Sequence, residues 1–336
     1  MTATSPGTSP SDTGPSDTGP SDTRRAADTG PLAPDVEGVL VVDKPLGVTS
    51  HDVVARVRRI VGSRPGRRGK RKGPKVGHAG TLDPDASGVL VVCIGRATKL
   101  VPYLQASQKT YDARMRLGRT TDTLDNDGVE TSRTDASHIT EEMVCEALHA
   151  FVGDIEQIPP MVSAVKVDGE RLYEKARRGE EVERKSRPVT IHDIVMADFE
   201  PGEQPSTSFL VTCTAGTYVR TLAADVGDRL GVGAHLTGLR RLGSGRFSIE
   251  DATSLDTLQA MAEEGTFGDA VMSMADAMAD YPAVALDEEQ AALVSNGRGI
   301  PATGHDGPVS ILDPSGALIA VMRDRGRLAR PEVVFN

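Results

Sequence analysis

A chain of 336 residues, 38 % hydrophobic and 26 % charged, has the profile of a soluble globular protein of two domains or of one large domain with an appendage. No stretch approaches the roughly 18 apolar residues of a membrane span, and no basic-then-apolar pattern at the N-terminus announces export. The formal net charge of −10 argues against a nucleic-acid partner only until its distribution is followed: residues 251–290 hold ten acids and no Lys or Arg, so partner-facing charge is a local question.

Residues 1–36 repeat Pro-Ser-Asp-Thr-Gly with almost no large apolar side chain. Such a segment cannot bury enough surface to offset its ordering entropy, and a disordered tail is expected. Residues 39–42 read as a short buried strand, and Lys44, Pro45 and Gly47 as a turn. Ser50 is the expected cap of a helix whose stripe is Val53, Val54, Val57, Ile60 and Val61. The stretch at 63–75 carries seven basic residues and no acid. It reads as a flexible basic loop, either a solvated linker or a phosphate-binding loop whose contacts to an RNA backbone would be Arg67, Arg68, Lys70, Arg71 and Lys72. Next comes "VGHAGTLDPDASGVLVVCIGRATKL", a glycine-rich turn feeding a buried strand at 89–94.

Tyr111, Ala113, Met115 and Leu117 alternate with polar residues, as in a half-buried strand. Asp125-Asn126-Asp127-Gly128 has the look of a calcium loop, but the first and last ligand positions would fall on Thr123 and Thr134, so it is read as a turn. Thr140 caps a helix with acids in its first turn and Val144, Ala147, Leu148 and Phe151 in its stripe. A Pro-Pro corner and a mixed-charge helix-and-loop segment follow, then strand, turn and helix over 208–231. The acidic segment 251–280 is expected to connect the main domain to a small β-rich module at 281–336. The three cysteines, Cys93, Cys145 and Cys213, are scattered and odd in number, which points to a reducing compartment. Neither they nor the seven histidines have metal-ligand spacing.

Asp83 precedes a proline and is thereby biased to an extended backbone. Gly80 and Gly88 around it permit sharp turns, so its carboxylate can project from the loop. Asp85 stands two residues on, and spacing alone does not choose between them; either could equally serve an Asx-turn or a helix cap. Arg220 opens a helix, where a cation opposes the macrodipole by about 0.3–1 kcal/mol. A carboxylate such as Asp83 would offset this, the alternative being an ordinary exposed arginine. Tyr111 and Tyr218 each stand beside a threonine at the edge of an element, placed to stack on a base or to fill the core. His78, between Gly77 and Ala79, is expected to be exposed by its loop.

The segments "GVLVVDKPLGVTSHDVV", "GHAGTLDPDASGVLVVCIGRATKL", "QIPPMVSAVKVDGERLYEKARRG" and "GTYVRTLAADVGDRLGVGAHLTGLRRLGSGRF" resemble, in order and spacing, the bacterial tRNA pseudouridine synthase B family over about residues 37–250. Residues 281–336 resemble the small PUA-like C-terminal module of the same enzymes. The resemblance implies an α+β pseudouridine synthase fold around a central mixed, largely antiparallel sheet. It implies a catalytic domain at 37–280, an RNA-binding module at 281–336, and a T-arm-binding insertion near 172–190. The implied activity is isomerisation of uridine 55 in the T-loop of tRNA, in the cytoplasm, by a monomer with no cofactor, metal, protein partner or guide RNA. It selects Asp83 over Asp85 as the catalytic residue, supported by Arg220 and Tyr111. It makes His78, Tyr111, Tyr218, Arg220 and Leu239 the substrate contacts. The long basic stretch and the N-terminal tail depart from the family's usual form. Two other readings compete: a non-catalytic tRNA-binding or folding protein, and a guide-dependent ribonucleoprotein synthase that shares Thr-Leu-Asp-Pro.

Overall fold

Two apolar runs, Gly38–Lys44 and Ala86–Ile94, lie side by side antiparallel at the heart of an 11-stranded sheet. Their side chains are buried on both faces, which is why the runs are continuous and do not alternate. The computed structural model describes residues 36–62, 64–65, 71–163, 166–167, 170–171, 178, 180 and 182–335. The expected tail, apart from Val36, and Arg67, Arg68 and Lys70 of the basic loop lie outside the described residues. From the Ala86–Ile94 strand the sheet continues through Ala234–Ser244, Lys109–Leu117, Ser206–Cys213 and Arg187–Glu200 to Gly153–Gln157. Ala86–Ile94 and Ala234–Ser244 are parallel, and Gly38–Lys44 also pairs in parallel with Thr253–Ser254. The other pairings are antiparallel, so the sheet is mixed and largely antiparallel.

Lys109–Leu117 alternates buried and exposed as its sequence requires. Its inner face packs against Glu141–His149 and Val219–Arg229, with Met115, Leu117, Val144, Leu148, Leu222 and Val226 in one core. Thr140 caps the first of these helices by accepting from the Met143 amide. Burying a side chain such as Leu148 contributes about 1.5–3 kcal/mol.

Four expectations change. The cap of the Ser50–Ile60 helix is Thr49, in a capping box with Asp52, and Ser50 is the first helical residue. The segment expected as mixed-charge helix and loop, with the insertion near 172–190, lies partly outside the described residues, and its described end opens a long strand, Arg187–Glu200, which buries Val189, Ile191 and Ile194. The stem of the basic loop is ordered, because Arg64–Pro65 and Arg71–Lys72 pair antiparallel. The acidic stretch 251–280 is part of the main sheet and its core. Thr253–Ser254 and Val271–Met272 both pair with Gly38–Lys44, and Leu255, Leu258, Ala262 and Phe267 are buried beside the Ser50–Ile60 helix. Its acids are all exposed, on the outward side of elements whose inward side is apolar.

Residues 283–334 form a five-stranded sheet ordered Ala283–Ala285, Pro308–Leu312, Leu318–Arg325, Leu328–Val334, Ile300–Pro301. Asp287 caps its helix, Glu288–Ser295, and Gly297 at φ +76° follows the C-cap Asn296. Leu318, Val321 and Phe335 share a core with Val39, Val91 and Leu100 of the main sheet. Lys99 Nζ donates to the Val334 carbonyl at 2.7 Å, and the Tyr281 hydroxyl donates to the Tyr103 carbonyl at 2.9 Å.

Candidate active site

The loop from Gly80 to Asp85 is clamped from three directions. Ser50 Oγ accepts from the Leu82 amide at 2.8 Å and donates to its carbonyl at 2.9 Å. The Gly47 amide donates to the Pro84 carbonyl at 2.9 Å. Arg241 reaches in from the Ala234–Ser244 strand to the carbonyls of Gly80 and Thr81. Gly88, at φ +99°, must be glycine because a Cβ there would stand 2.2 Å from the Arg241 carbonyl oxygen. Lys44 is fully buried beneath the loop and donates to Val48, Pro45 and Pro84 carbonyls. Burial pulls its ammonium down to about 8, against the opposing pull of Asp83 and Asp85.

Between these clamps the Asp83 side chain is 49 % exposed and meets Arg220 Nη2 at 2.9 Å. The Arg220 guanidinium is only 6 % exposed, and most of its bonds run inward. Nη1 donates to Asp125 Oδ2 and to the Thr123 carbonyl, both at 3.1 Å, and Nη2 donates to the Val162 carbonyl at 2.9 Å. Asp125 is itself fixed. Thr123 Oγ1 and the Asp127 amide donate to its Oδ1, and the chain enters through Leu124 in the left-handed region at φ +65°. A non-glycine residue held there costs energy that the surroundings must over-determine. Asn126 ties the same turn to the sheet, donating to the Thr237 carbonyl and pairing with the buried His235. So the expected turn at 125–128 is a turn, and it also delivers the interior partner of Arg220. The sequence reading missed Asp125.

Asp83, Asp85, Ala86, Asp125, Asn126, Arg220, Leu236, Thr237, Gly238 and Leu239 line a cleft of about 330 Å³ open to solvent. Leu239 sits there because its strand pairs with Ala86 on one side and Ala113 on the other. Tyr111 lies in the core cluster with Leu82 and Ala86, 9 % exposed. Burial pushes its phenol up, against the pull of Arg241. Tyr218 occupies the N-cap of Val219–Arg229, where Gln157 accepts from its amide at 2.9 Å and donates to its carbonyl at 3.1 Å. Its phenol too is pushed up by burial. His78 is not on an exposed loop. It ends the Val76–His78 strand, half-buried, with its ring edge-to-face on His51 at 5.6 Å. Burial and the neighbouring His51 push its imidazole down. The structure therefore brings Asp83, Arg220 and Leu239 into the lining of one cleft, with Tyr111 in the core cluster that holds Ala86 of that lining. Neither His78 nor Tyr218 is among the lining residues. Of the basic-loop candidates, Arg71 and Lys72 are described as backbone in a short strand.

Asp85 meets other acids where Asp83 meets a cation. A hydrogen bond to Asp127, burial, and the charges of Asp127, Asp125 and Asp83 raise its carboxyl to about 6. A carboxyl raised in the folded state favours folding while protonated and works against it once ionised. Its cost is therefore absent at low pH and complete above about 6. Asp85→Asn is expected to unfold at a higher temperature than wild type at pH 7.5, the gap narrowing as the pH falls through about 6 and closing below the ordinary value of 3.8. Equal melting temperatures across that range would contradict the carboxylate cluster.

Comparison with known proteins gives a consistent result. A model of the TruB family pseudouridylate synthase N-terminal domain matches residues 67–219, and a tRNA pseudouridylate synthase B C-terminal domain model matches 220–278. A tRNA pseudouridine synthase II C-terminal model matches 281–336. The tRNA pseudouridine synthase B of Thermobifida fusca is 46 % identical over 305 residues, covering 89 % of this chain and 98 % of that one. The protein of the same name from Bacillus anthracis is 46 % identical over 268 residues, covering 78 % and 83 %. A solved Cbf5-Nop10-Gar1 complex contains a chain that superposes with a TM-score of 0.67 at 30 % identity, over 89 % of this chain and 85 % of that one.

Proposed function

This chain belongs to the TruB family of pseudouridylate synthases, and from that premise we propose that it isomerises uridine 55 in the T-loop of tRNA to pseudouridine, with Asp83 as the catalytic group. One observation carries the assignment: a half-exposed carboxylate at the cleft mouth, aimed by a buried guanidinium whose other bonds run into the core.

The reaction breaks the C1′–N1 bond, turns the uracil, and joins C1′ to C5. The target base lies in a folded loop, so it is flipped out at a cost of a few kcal/mol, and His78 fills the space it leaves. Asp83 acts at the sugar, where its carboxylate can attack C1′ or take a sugar proton. Its Arg220 partner fixes the direction from which it approaches. Leu239 and Tyr218 keep water from the detached base, which would otherwise be lost. Tyr111 stacks on the turned uracil and receives the C5 proton. The chemistry takes place on residues 37–280, with further RNA contacts from the module at 281–336, the insertion near 172–190 and the basic loop. No helix among the described residues is long and apolar enough to cross a membrane, and the cytoplasm, where tRNA is modified, is the compartment we assign.

Four relatives named tRNA pseudouridine synthase B are 43–46 % identical, whereas chains of two Cbf5 complexes and of an H/ACA RNP are 26–30 % identical. The greater similarity to the former favours a stand-alone enzyme over a guide-dependent one, and to that reading we add a monomer without cofactor. The purified chain alone, incubated with an unmodified tRNA transcript, is expected to convert uridine 55 to pseudouridine, mapped by a carbodiimide-dependent primer-extension stop. Bound but unmodified tRNA would favour a tRNA-binding or folding protein. Conversion only on adding a guide RNA would favour a ribonucleoprotein synthase.

A further inference from the structure

Arg241 braces the Gly80–Thr81 backbone, a task that does not by itself call for a charge. It is 1 % exposed, and no carboxylate among the described residues pairs with it. Three carbonyls hold it: Val89 at 2.7 Å from Nε, Thr81 at 3.4 Å from Nη1 and Gly80 at 3.2 Å from Nη2. Other cations surround it. The ammoniums of Lys44 and Lys109 are buried nearby, and Arg241 contributes to pulling both down to about 8. A buried cation without an anion is costly, and backbone dipoles offset only part of that cost. A neutral side chain could brace the same loop with less penalty.

The neighbour that could supply negative charge is Tyr111. The two residues are direct cross-strand partners in the antiparallel pairing of Lys109–Leu117 with Ala234–Ser244. Directly opposed residues point to the same face with their Cβ atoms about 5 Å apart, and both are buried. Resting on the reading of the site given above, we propose that Arg241 is a positioning residue that works through Tyr111, holding the phenol in place and stabilising the negative charge that builds on its oxygen during removal of the C5 proton.

The step balances as follows. The Tyr111 oxygen takes the proton from C5 of the rejoined base while its own proton passes to the Asp83 carboxylate, which is free once C1′ is bonded to C5. The C5–H electron pair becomes the C5–C6 double bond. The N1–C6 π pair moves onto N1, which takes a proton from solvent. Asp83 then releases its proton to solvent. The charge on the phenol oxygen is transient, and Arg241 faces it in a site from which water is excluded, where such an interaction is strongest.

The test is a double-mutant cycle in single-turnover conversion of tRNA. Arg241→Lys keeps the charge and loses the planar fork, and Arg241→Gln keeps hydrogen bonding and loses the charge. Each is measured alone and in a Tyr111→Phe background, with melting temperatures to show which variants fold. In the Tyr111 background, Arg241→Gln is expected to slow turnover about 10²-fold, the range of a lost proton-transfer aid, with KM for tRNA little changed. It is also expected to enlarge the C5 hydrogen–deuterium isotope effect, and Arg241→Lys should recover much of the rate. In the Tyr111→Phe background either substitution should cost less than about threefold, because the group it acts through is gone. Equal losses in both backgrounds, from whichever variant folds, would make Arg241 a brace only and overturn the proposal. Inactivity of the wild type on tRNA would instead remove the reading of the site beneath it.

Discussion

Arg220→Met is expected to lose roughly 3–5 kcal/mol of folding stability, the range for breaking a buried ion pair, and to turn over tRNA at least about 10²-fold more slowly. Its two effects have separate origins. The stability loss comes from the interior half of the guanidinium's bonding. Asp125, 15 % exposed, would lose its cation, and the Thr123 and Val162 carbonyls would lose their donor. The pair with Asp83 adds little to stability, because a carboxylate 49 % in water gains about 0–1 kcal/mol from such a contact. The rate loss comes from that weak pair. Asp83 without Arg220 keeps its backbone clamps and loses the contact that sets its side-chain direction. Arg220→Lys would not restore both functions, since one ammonium cannot bridge Asp125 Oδ2 and Asp83 Oδ2 as the planar fork does. Urea titration reads the stability and single-turnover conversion reads the rate. A variant as stable as wild type would contradict the inward tether. A stable, fully active one would also contradict the role given to the Arg220–Asp83 pair.

Much of the scaffold around this pair could be read from local pattern. The alternation at Tyr111, Ala113, Met115 and Leu117 and the Thr140 cap each depend on neighbours a few residues away. The glycines and the Asp-Pro marked the candidate loop for the same reason, but the choice of Asp83 over Asp85 came from the family resemblance. Where the reading failed, the deciding contact was remote or the signal ambiguous. Thr49 and Ser50 are adjacent hydroxyls with similar capping tendency. Asp52, three residues after Thr49, was the discriminating signal, because it completes the capping box. Ser50 is then free to lock Leu82, 32 residues on. Asp125 reads as an ordinary turn acid, and its partner Arg220 is 95 positions away. Residues 251–280 looked like a connector because their charges are all acidic and unrelieved by any Lys or Arg, yet Leu258 and Phe267 at 0 % and 1 % exposure anchor them in the core. The buried charge of Arg241 had no signature at all, since nothing local distinguishes it from the half-exposed Arg240 beside it.

The central claim is that Asp83 does the chemistry, and replacing its carboxylate by an amide of the same shape isolates that claim. Asp83→Asn retains the proline, the glycines and the clamps on Leu82, Pro84 and Gly80, and its side chain is half exposed, so the fold and tRNA binding are expected to survive. The most direct measurement is tritium release from tRNA carrying tritiated uridine at carbon 5, with wild type and Asp83→Asn side by side and tRNA binding recorded for both. The account predicts release by wild type, none above background by Asp83→Asn, and binding within about threefold for the two, since one exposed carboxylate contributes little to RNA affinity. Release by Asp83→Asn at a rate near that of wild type would contradict it.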